Sequence, residues 1–566
     1  MLSTFFTSSS LLLAFAPSVL SASPPVIRGH SGLSYVGLRN TTANQDYFLG
    51  IPFAKPPVGP LRFKPPVPWS QGNVKVVNAT QDGYSCVQSP MWTSNPISED
   101  CLTLNIWKPT NVTGKLPVMV WIYGGAFYLG DTKQYPGTAL VERSVETGKP
   151  IVYVAMNYRV GLFGFPPGKA ATDAGGSNLG LKDQRLALEW VQKNIAYFGG
   201  DPKKASIYAL SRYVTIFGES AGAMSVGYQS LYKGGNIGGA FRGMILEPGS
   251  PSSLQILKPN DPVREETLKY MVNNTGCTSA ANPYECVRGA PSDVLARLND
   301  EVIKLDPWYQ APGQAPTIFA PTRVPGDDFF PDIPSKLLHA GKFAKVPFIN
   351  GVQRDEGPIF LNVTSINTEE DIVKWVTARF PGLYFSISNV TAIREFLKYY
   401  PTDPAAGSPY GTGNETFGQG AQYKRAASAL SDLAFQAPRR DHHATANKFG
   451  VKTWSYVMSE RPLNFVPVLG IQHGGDIPFV MQTLGTLNPS ASPALLELVQ
   501  TIGDYWINFA YCLDPNPKSG PQRPNWPSYG KAGNALDFLA ANITLFKDVA
   551  RKQATDFVIH SPSLYN

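Results

Sequence analysis

The segment Gly218-Glu219-Ser220-Ala221-Gly222 carries the most chemistry of any in this chain. It follows the β-rich run Val214-Thr215-Ile216-Phe217 and precedes the helix-compatible stretch Ala223-Met224-Ser225-Val226. A G-x-S-x-G pattern between strand and helix puts the serine on a sharp, strained turn, and the flanking glycines leave room for neighbouring backbone. Such a turn projects the Ser220 hydroxyl outward. It also sets the Ala221 N–H at a helix N-terminus, where it can donate to a developing oxyanion. A serine nucleophile needs a base, and the base needs an orienting acid. Of six histidines, His30, His339 and His560 have no motif around them. His442 and His443 lie in Arg439-Arg440-Asp441-His442-His443, which reads as a polar helix face. His473 sits in the turn-rich Gly470-Ile471-Gln472-His473-Gly474-Gly475-Asp476, which has no need of a core histidine. Two acids, Asp355 and Glu356, occur in Gly351 to Gly357 directly after a strand end, between the serine and His473. That is the hydrolase chain order Ser…acid…His. Tyr123-Gly124-Gly125-Ala126-Phe127 also follows a strand; it reads either as an oxyanion-binding segment or as a plain Gly-Gly turn.

The elements that must hold these residues recur along the chain. Short apolar runs end in turn residues: Pro117 to Tyr123, Ile151 to Met156, Val214 to Phe217, Met244 to Leu246 and Val346 to Ile349. Continuous rather than alternating apolar runs predict strands buried on both faces. Asp183 to Ile195 reads as a helix with Leu186, Trp190, Val191 and Asn194 on one side. Strands alternating with helices predict an α/β fold, a large and mostly parallel sheet flanked by helices. In such sheets the working residues sit at the carboxyl ends of strands. The serine, the acid loop and the Gly-Gly segment all follow strands.

Composition is consistent with one large globular unit. Of 566 residues, 43% are hydrophobic and 16% charged, and the net charge is +7. The charge is spread thinly, with no basic block for nucleic acid. Leu11 to Leu20 is too short to span a bilayer and is followed by Ser21-Ala22-Ser23, which predicts a secretory signal peptide over residues 1–22. No other apolar run reaches membrane-spanning length. The expected organisation is that leader and a single domain over residues 23–566, secreted to the extracellular space. Eight Asn-x-Thr sequons agree with that route: Asn40, Asn78, Asn111, Asn273, Asn362, Asn389, Asn414 and Asn542. Five cysteines are present. Cys86 and Cys101 are close in sequence, as are Cys277 and Cys286, and an oxidising compartment favours two small-loop disulfides, although four cysteines allow three connectivities. Cys512 is left over and reads as buried and inert.

Taken together these segments resemble the type-B carboxylesterase family of fungal lipases, carboxylesterases and cholinesterases. The resemblance runs nearly end to end: Gly50-Ile51-Pro52-Phe53-Ala54, Leu61-Arg62-Phe63, Ser98 to Asn105, Trp121 to Phe127, Asn157-Tyr158-Arg159, Asp183-Gln184-Arg185, Phe198 to Pro202, Gly218 to Gly222, Asp355-Glu356-Gly357 and His473-Gly474. It implies an α/β-hydrolase fold with Ser220, Glu356 and His473 as the catalytic triad. It implies an oxyanion hole from the N–H groups of Gly125, Ala126 and Ala221. It also implies disulfides Cys86–Cys101 and Cys277–Cys286 and buried ion pairs Arg62–Glu99 and Arg159–Asp183. The activity implied is hydrolysis of a small-molecule or lipid carboxylic ester through an acyl-enzyme. That chemistry calls for no metal and no organic cofactor, and the expected state is a monomer or weak dimer.

Three departures from the family pattern bear on activity. Ala126 stands where a third glycine is usual; its N–H survives, and its methyl narrows the site. Only 14 residues lie between Cys86 and Cys101, where family lipases carry a longer lid, so esterase is favoured over true lipase or sterol esterase. Met91-Trp92 in that loop resembles the choline-binding segment of cholinesterases, but Pro358-Ile359-Phe360 keeps one of the two aromatics expected there, so Trp92 reads better as an apolar wall. Lys203 to Tyr213 is roughly ten residues longer than the resemblance leads one to expect. It is either a tolerated surface loop or a disturbance of the strand that carries Ser220. An inactive adhesion or binding protein, the alternative of another class, is disfavoured by the intact Ser220, Glu356 and His473.

Overall fold

The computed structural model describes residues 23–561 and Leu564, apart from 113, 202–203, 207–208, 212, 303–318, 362–363, 378–388 and 541. The expected signal peptide and the Asn362 sequon lie outside the described residues. An eleven-stranded sheet organises the chain. Its strands, in chain order, are β1 (Leu38–Asn40), β2 (Gln45–Pro52), β3 (Thr103–Pro109), β4 (Val118–Ile122), β5 (Val152–Met156), β6 (Val214–Glu219), β7 (Gly243–Glu247), β8 (Phe348–Gln353), β9 (Thr453–Met458), β10 (Asn534–Phe538) and β11 (Thr544–Lys547). The spatial order is β11-β10-β9-β8-β7-β6-β4-β5-β3-β2-β1. Every pairing from β5 to β10 is parallel, and both margins are antiparallel.

The five apolar runs become β4 to β8, and each of these strands is buried along its whole length. Helices cover both faces, as a parallel sheet requires. β8 runs on through Asn350-Gly351, where turn residues predicted its end. Asn350 is paired with Leu246, and the Tyr456 ring of β9 occupies the place where Gly351 would carry a side chain. Helix α1 (Leu179–Asn194) starts four residues before the predicted Asp183 and buries Leu186, Trp190 and Val191. Helix α2 (Ala221–Leu231) follows the nucleophile candidate and is wholly buried. Helices α3 (Tyr423–Ser431) and α4 (Ala437–Lys448) are joined by a π-helical turn, Asp432–Gln436, and α5 (Pro493–Cys512) packs beside the sheet.

Both buried ion pairs form. Arg62 grips Glu99 with two 2.7 Å bonds and donates to the Arg288 and Ala290 carbonyls. Arg159 grips Asp183 at 2.8 and 2.7 Å. The disulfides are Cys86–Cys101 and Cys277–Cys286.

Two sequence expectations are overturned. Cys512 is exposed, because α5 ends there and Leu513 turns left-handed beyond it. The Arg439 to His443 stretch is not a solvent-facing side: His442 and His443 are fully buried. His442 stacks on Phe348 with ring centroids 4.1 Å apart, and His443 stacks on Tyr529 at 4.4 Å. Arg439 and Arg440 both pair with Asp548, so the helix buries its charges by neutralising them.

The extra segment between Asp201 and Tyr213 forms a separate antiparallel hairpin, Lys204–Ser206 against Ala209–Ser211. It does not disturb β6, which is in full register with β4 from Val214 to Gly218 and with β7 from Thr215 to Glu219. The hairpin meets β6 at Val214, and Ser220 follows its far end. A six-residue strand at about 3.3 Å per residue separates them by roughly 20 Å.

Candidate active site

Ser220 sits at φ 57°, ψ −124°, a strained conformation for a residue with a side chain. Its own N–H is held by the Glu247 and Pro248 carbonyls at 3.3 and 3.1 Å. The two motif glycines have a visible steric cause. A Cβ on Gly222 would lie 2.0 Å from the Ile122 carbonyl oxygen, and one on Gly218 would lie 2.4 Å from the same atom. The elbow therefore presses directly on the end of β4, which brings the Gly-Gly segment alongside. A Cβ on Gly124 would be 2.7 Å from the Glu219 carboxylate and 3.0 Å from Ser220 Cβ.

Gly125, Ala126 and Phe127 turn left-handed in succession, at φ 92°, 55° and 58°. The turn is held by hydrogen bonds from the Tyr128 and Leu129 N–H groups to the Gly125 carbonyl, at 2.9 and 3.0 Å, and from Gly161 N–H to the Phe127 carbonyl at 2.7 Å. Beneath it Tyr123 and Tyr158 stack with centroids 4.4 Å apart, each hydroxyl donating to the other's carbonyl. The Ala221 N–H opens α2, so no carbonyl within the helix can accept it.

His473 Nδ1 lies 2.6 Å from Glu356 Oε2, and both side chains are buried. The other Glu356 oxygen accepts from Gln353 N–H at 2.5 Å, which fixes the carboxylate's orientation. Asp355, the second acid of the loop, plays a different part. Its Oδ1 accepts from Ser408 Oγ at 2.6 Å and Tyr410 N–H at 2.9 Å, and its Oδ2 accepts from Ile471 N–H at 3.0 Å. Asp355 N–H returns a bond to the Ile471 carbonyl, so Asp355 laces the acid loop to the loop that carries His473.

On the elbow side, His473 Nε2 is 3.2 Å from Glu219 Oε1. Glu219 is the variable position of the motif, and the pattern alone marks it for no role. Behind it, Trp506 donates to Glu247 at 2.7 Å and Tyr456 donates to Asp476 at 2.9 Å. Burial is the main reason these acids bind protons more tightly than usual. Glu219 is pushed up to about 8, with Asp476 and Glu356 adding to the rise and His473 opposing it, and Asp476 is pushed up to about 6. Burial pulls the His473 imidazole down, but the Glu356 and Glu219 carboxylates outweigh it and lift the ring to about 9. Glu219 exerts that lift only while ionised, so below its own pKa Glu356 carries the effect. Two aromatic rings flank the imidazole, Phe435 at 4.8 Å and Phe360 at 5.1 Å between centroids.

The loop between Cys86 and Cys101 is stapled to the body. Gln88 exchanges two 2.9 Å bonds with the Gly130 backbone, Ser85 Oγ donates to Asp131 at 3.0 Å, and Gln134 holds the Trp92 carbonyl at 3.3 Å. Trp92 is partly buried against the core. Of the sequons, Asn78, Asn111, Asn273, Asn389, Asn414 and Asn542 are exposed; Asn40 is half-buried and donates to Tyr47.

The carboxylesterase family model matches residues 27–558. Secreted lipase 1 of Botryotinia fuckeliana is 36% identical, covering 98% of this chain and 94% of its own. Lipase 4 of Diutina rugosa is also 36% identical, covering 98% and 99%. The crystal structure of Aspergillus niger EstA superimposes with a TM-score of 0.79 at 27% identity, over 96% of this chain and 99% of that one. The fold is that of the α/β hydrolases, and the chain belongs to the carboxylesterase family of carboxylic-ester hydrolases.

Proposed function

We propose that the protein is a secreted serine esterase in which Ser220 is the nucleophile, His473 the general base and Glu356 its orienting acid. The observation that carries this reading is the 2.6 Å contact between His473 Nδ1 and Glu356, with the opposite ring nitrogen turned toward the strained elbow. In this reading His473 Nε2 takes the Ser220 proton as the oxygen attacks the ester carbonyl. Glu356 keeps the remaining proton on Nδ1 and stabilises the imidazolium. The N–H groups of Gly125, Ala126 and Ala221 receive the oxyanion, and losing one such donor typically costs roughly 3 kcal/mol of transition-state stabilisation. The alcohol leaves with the proton from His473, and water, activated by the same base, frees the acid. The substrate-facing residues need no bound metal for this sequence of steps.

Short and medium acyl esters fit best. The Cys86–Cys101 loop is brief and pinned through Gln88, Ser85 and the disulfide, which favours an open site over a lid that swings at a lipid surface. A second reading, a lipase on long-chain esters, is favoured by the names of the relatives at 36% identity. Secretion is supported by the leader-like N-terminus, two disulfides and a secreted relative; a monomer or weak dimer suffices for a site built within one chain. Hydrolysis of p-nitrophenyl esters from acetate to palmitate, beside Ser220→Ala, tests the reading. Activity should peak at short chains and vanish in the variant. A strong preference for palmitate would transfer the protein to the lipases, and activity surviving Ser220→Ala would remove the triad.

A further inference from the structure

The helical turn between α3 and α4 touches both partners of the proposed serine. It is π-helical over Asp432–Gln436. Pro438, in the first turn of α4, has no N–H to give to the helix, and a widened turn is the usual accommodation. Isolated π-turns of this kind recur at functional sites. Ser431 and Phe435 are four residues apart and share one face. Ser431 Oγ accepts from Gly357 N–H at 2.7 Å, immediately after Glu356. The approach is close: a Cβ on Gly357 would lie 2.1 Å from the Ala427 carbonyl of α3. The Phe435 ring stands 4.8 Å from the His473 imidazole and stacks on Phe360 at 5.7 Å. Asp432, between the two, is clamped by Arg551 at 2.7 and 2.8 Å and by the Tyr400 hydroxyl at 2.9 Å. One segment thus holds the acid loop and the base loop, and it is itself anchored by an ion pair to Arg551, the residue just before the C-terminal helix Lys552–His560.

We infer that Ser431 and Phe435 are positioning residues for ester hydrolysis, Ser431 fixing the Glu356 loop and Phe435 holding the His473 ring and favouring its imidazolium form. The inference rests on the triad reading. An aromatic ring within about 6 Å of a cation attracts it, and more strongly in a desolvated setting. In the neutral, working form of the enzyme the ring becomes an imidazolium only as Ser220 gives up its proton, so within that form the attraction stabilises the transition state more than the ground state, and the same attraction raises the pH at which the resting ring becomes neutral.

The test uses the full chain with Phe435→Leu, which keeps apolar bulk and removes the ring, and with Ser431→Ala. kcat, KM and the pH dependence of kcat/KM are read on a short-chain p-nitrophenyl ester, with active sites counted by a fluorophosphonate label. Glu356, Glu219 and Asp476 all face His473 and remain in place, so a moved limb reports the ring. Phe435→Leu should lower kcat by about three- to ten-fold, leave KM within about two-fold, and move the acidic limb down by roughly half a unit. Ser431→Ala should lower kcat several-fold at unchanged KM. A folded Phe435→Leu with kcat and limb unchanged overturns the inference, as does a rise in KM alone, which would make Phe435 a wall of the substrate site. If Phe435→Leu does not fold, wild-type kcat in Ser431→Ala overturns it. Failure of the triad reading is seen separately, as hydrolysis that survives Ser220→Ala.

Discussion

Replacing Glu356 by glutamine changes one oxygen for an NH2 group and leaves the side chain's length and shape intact. The surroundings decide which way the new amide points. Gln353 N–H sits 2.5 Å from Glu356 Oε1 and can only donate, so the amide oxygen must stay there. The NH2 group is then forced toward His473 Nδ1, where Glu356 Oε2 now stands at 2.6 Å. Nδ1 must accept, its proton moves to Nε2, and the nitrogen that serves as base in the proposed mechanism loses the lone pair it needs. The analogous Asp→Asn change in a serine protease lowers kcat by about 10⁴-fold through the wrong tautomer, which is roughly 5–6 kcal/mol of barrier. A comparable loss is expected here, with KM nearly unchanged and with unfolding temperature close to wild type. Glu356→Asp, which keeps an acceptor at a longer reach, should lose far less, about 10–100-fold. The assay is p-nitrophenyl butyrate hydrolysis with active sites counted by fluorophosphonate labelling. A folded Glu356→Gln enzyme that keeps more than about a tenth of wild-type kcat would show that the Nδ1 contact does not set the tautomer.

The base must be neutral to act, and Glu356 and Glu219 hold His473 above its ordinary range, so activity should climb with pH through a raised imidazole limb. Glu219→Gln removes one of those charges; at 3.2 Å even water-like screening leaves about 1.3 kcal/mol, so the acidic limb should move down by up to about one unit, reduced by the part of Glu219 already protonated there, and a limb that stays or rises would remove Glu219 from the account. Arg159→Met strands Asp183 as an unpaired buried acid; urea unfolding should show a loss of about 3–5 kcal/mol that Arg159→Met/Asp183→Leu partly restores, and a loss under about 1 kcal/mol would contradict the pairing's importance.

The strands that position the site were legible because each is buried on both faces and written as an unbroken apolar run; β4, β6 and β8 lie where those runs fall. The motif serine was legible because its glycines are demanded by a local clash with Ile122. His473 stood out by elimination, as a histidine in a turn with no packing reason to be there. The residues that escaped notice act through partners distant in the chain. Phe435 sits in Leu433-Ala434-Phe435, which reads as any apolar helix face; its neighbour His473 is 38 positions away. Asp548, which neutralises Arg439 and Arg440, lies more than a hundred residues on, and without it the Arg439 to His443 stretch looks like a solvated surface. Cys512 was misjudged for the opposite reason: cysteine is a small hydrophobe by habit, and only the end of α5 shows that it faces water.

The hairpin between Asp201 and Tyr213 has a use apart from catalysis. Both of its ends are tied to the same short stretch of backbone: Asp201 N–H donates to the Leu116 carbonyl, and Val118 N–H donates to the Tyr213 carbonyl, each at 2.8 Å. The chain therefore leaves and returns at one place, and the register of β6 with β4 and β7 is unbroken beside it. Lengthening such a detour costs little, about 0.6 kcal/mol per doubling of its length, and it opens at the end of β6 opposite Ser220. An affinity tag, a fluorescent label or a surface-tethering peptide spliced into this detour would enter the chain at the end of β6 away from Ser220.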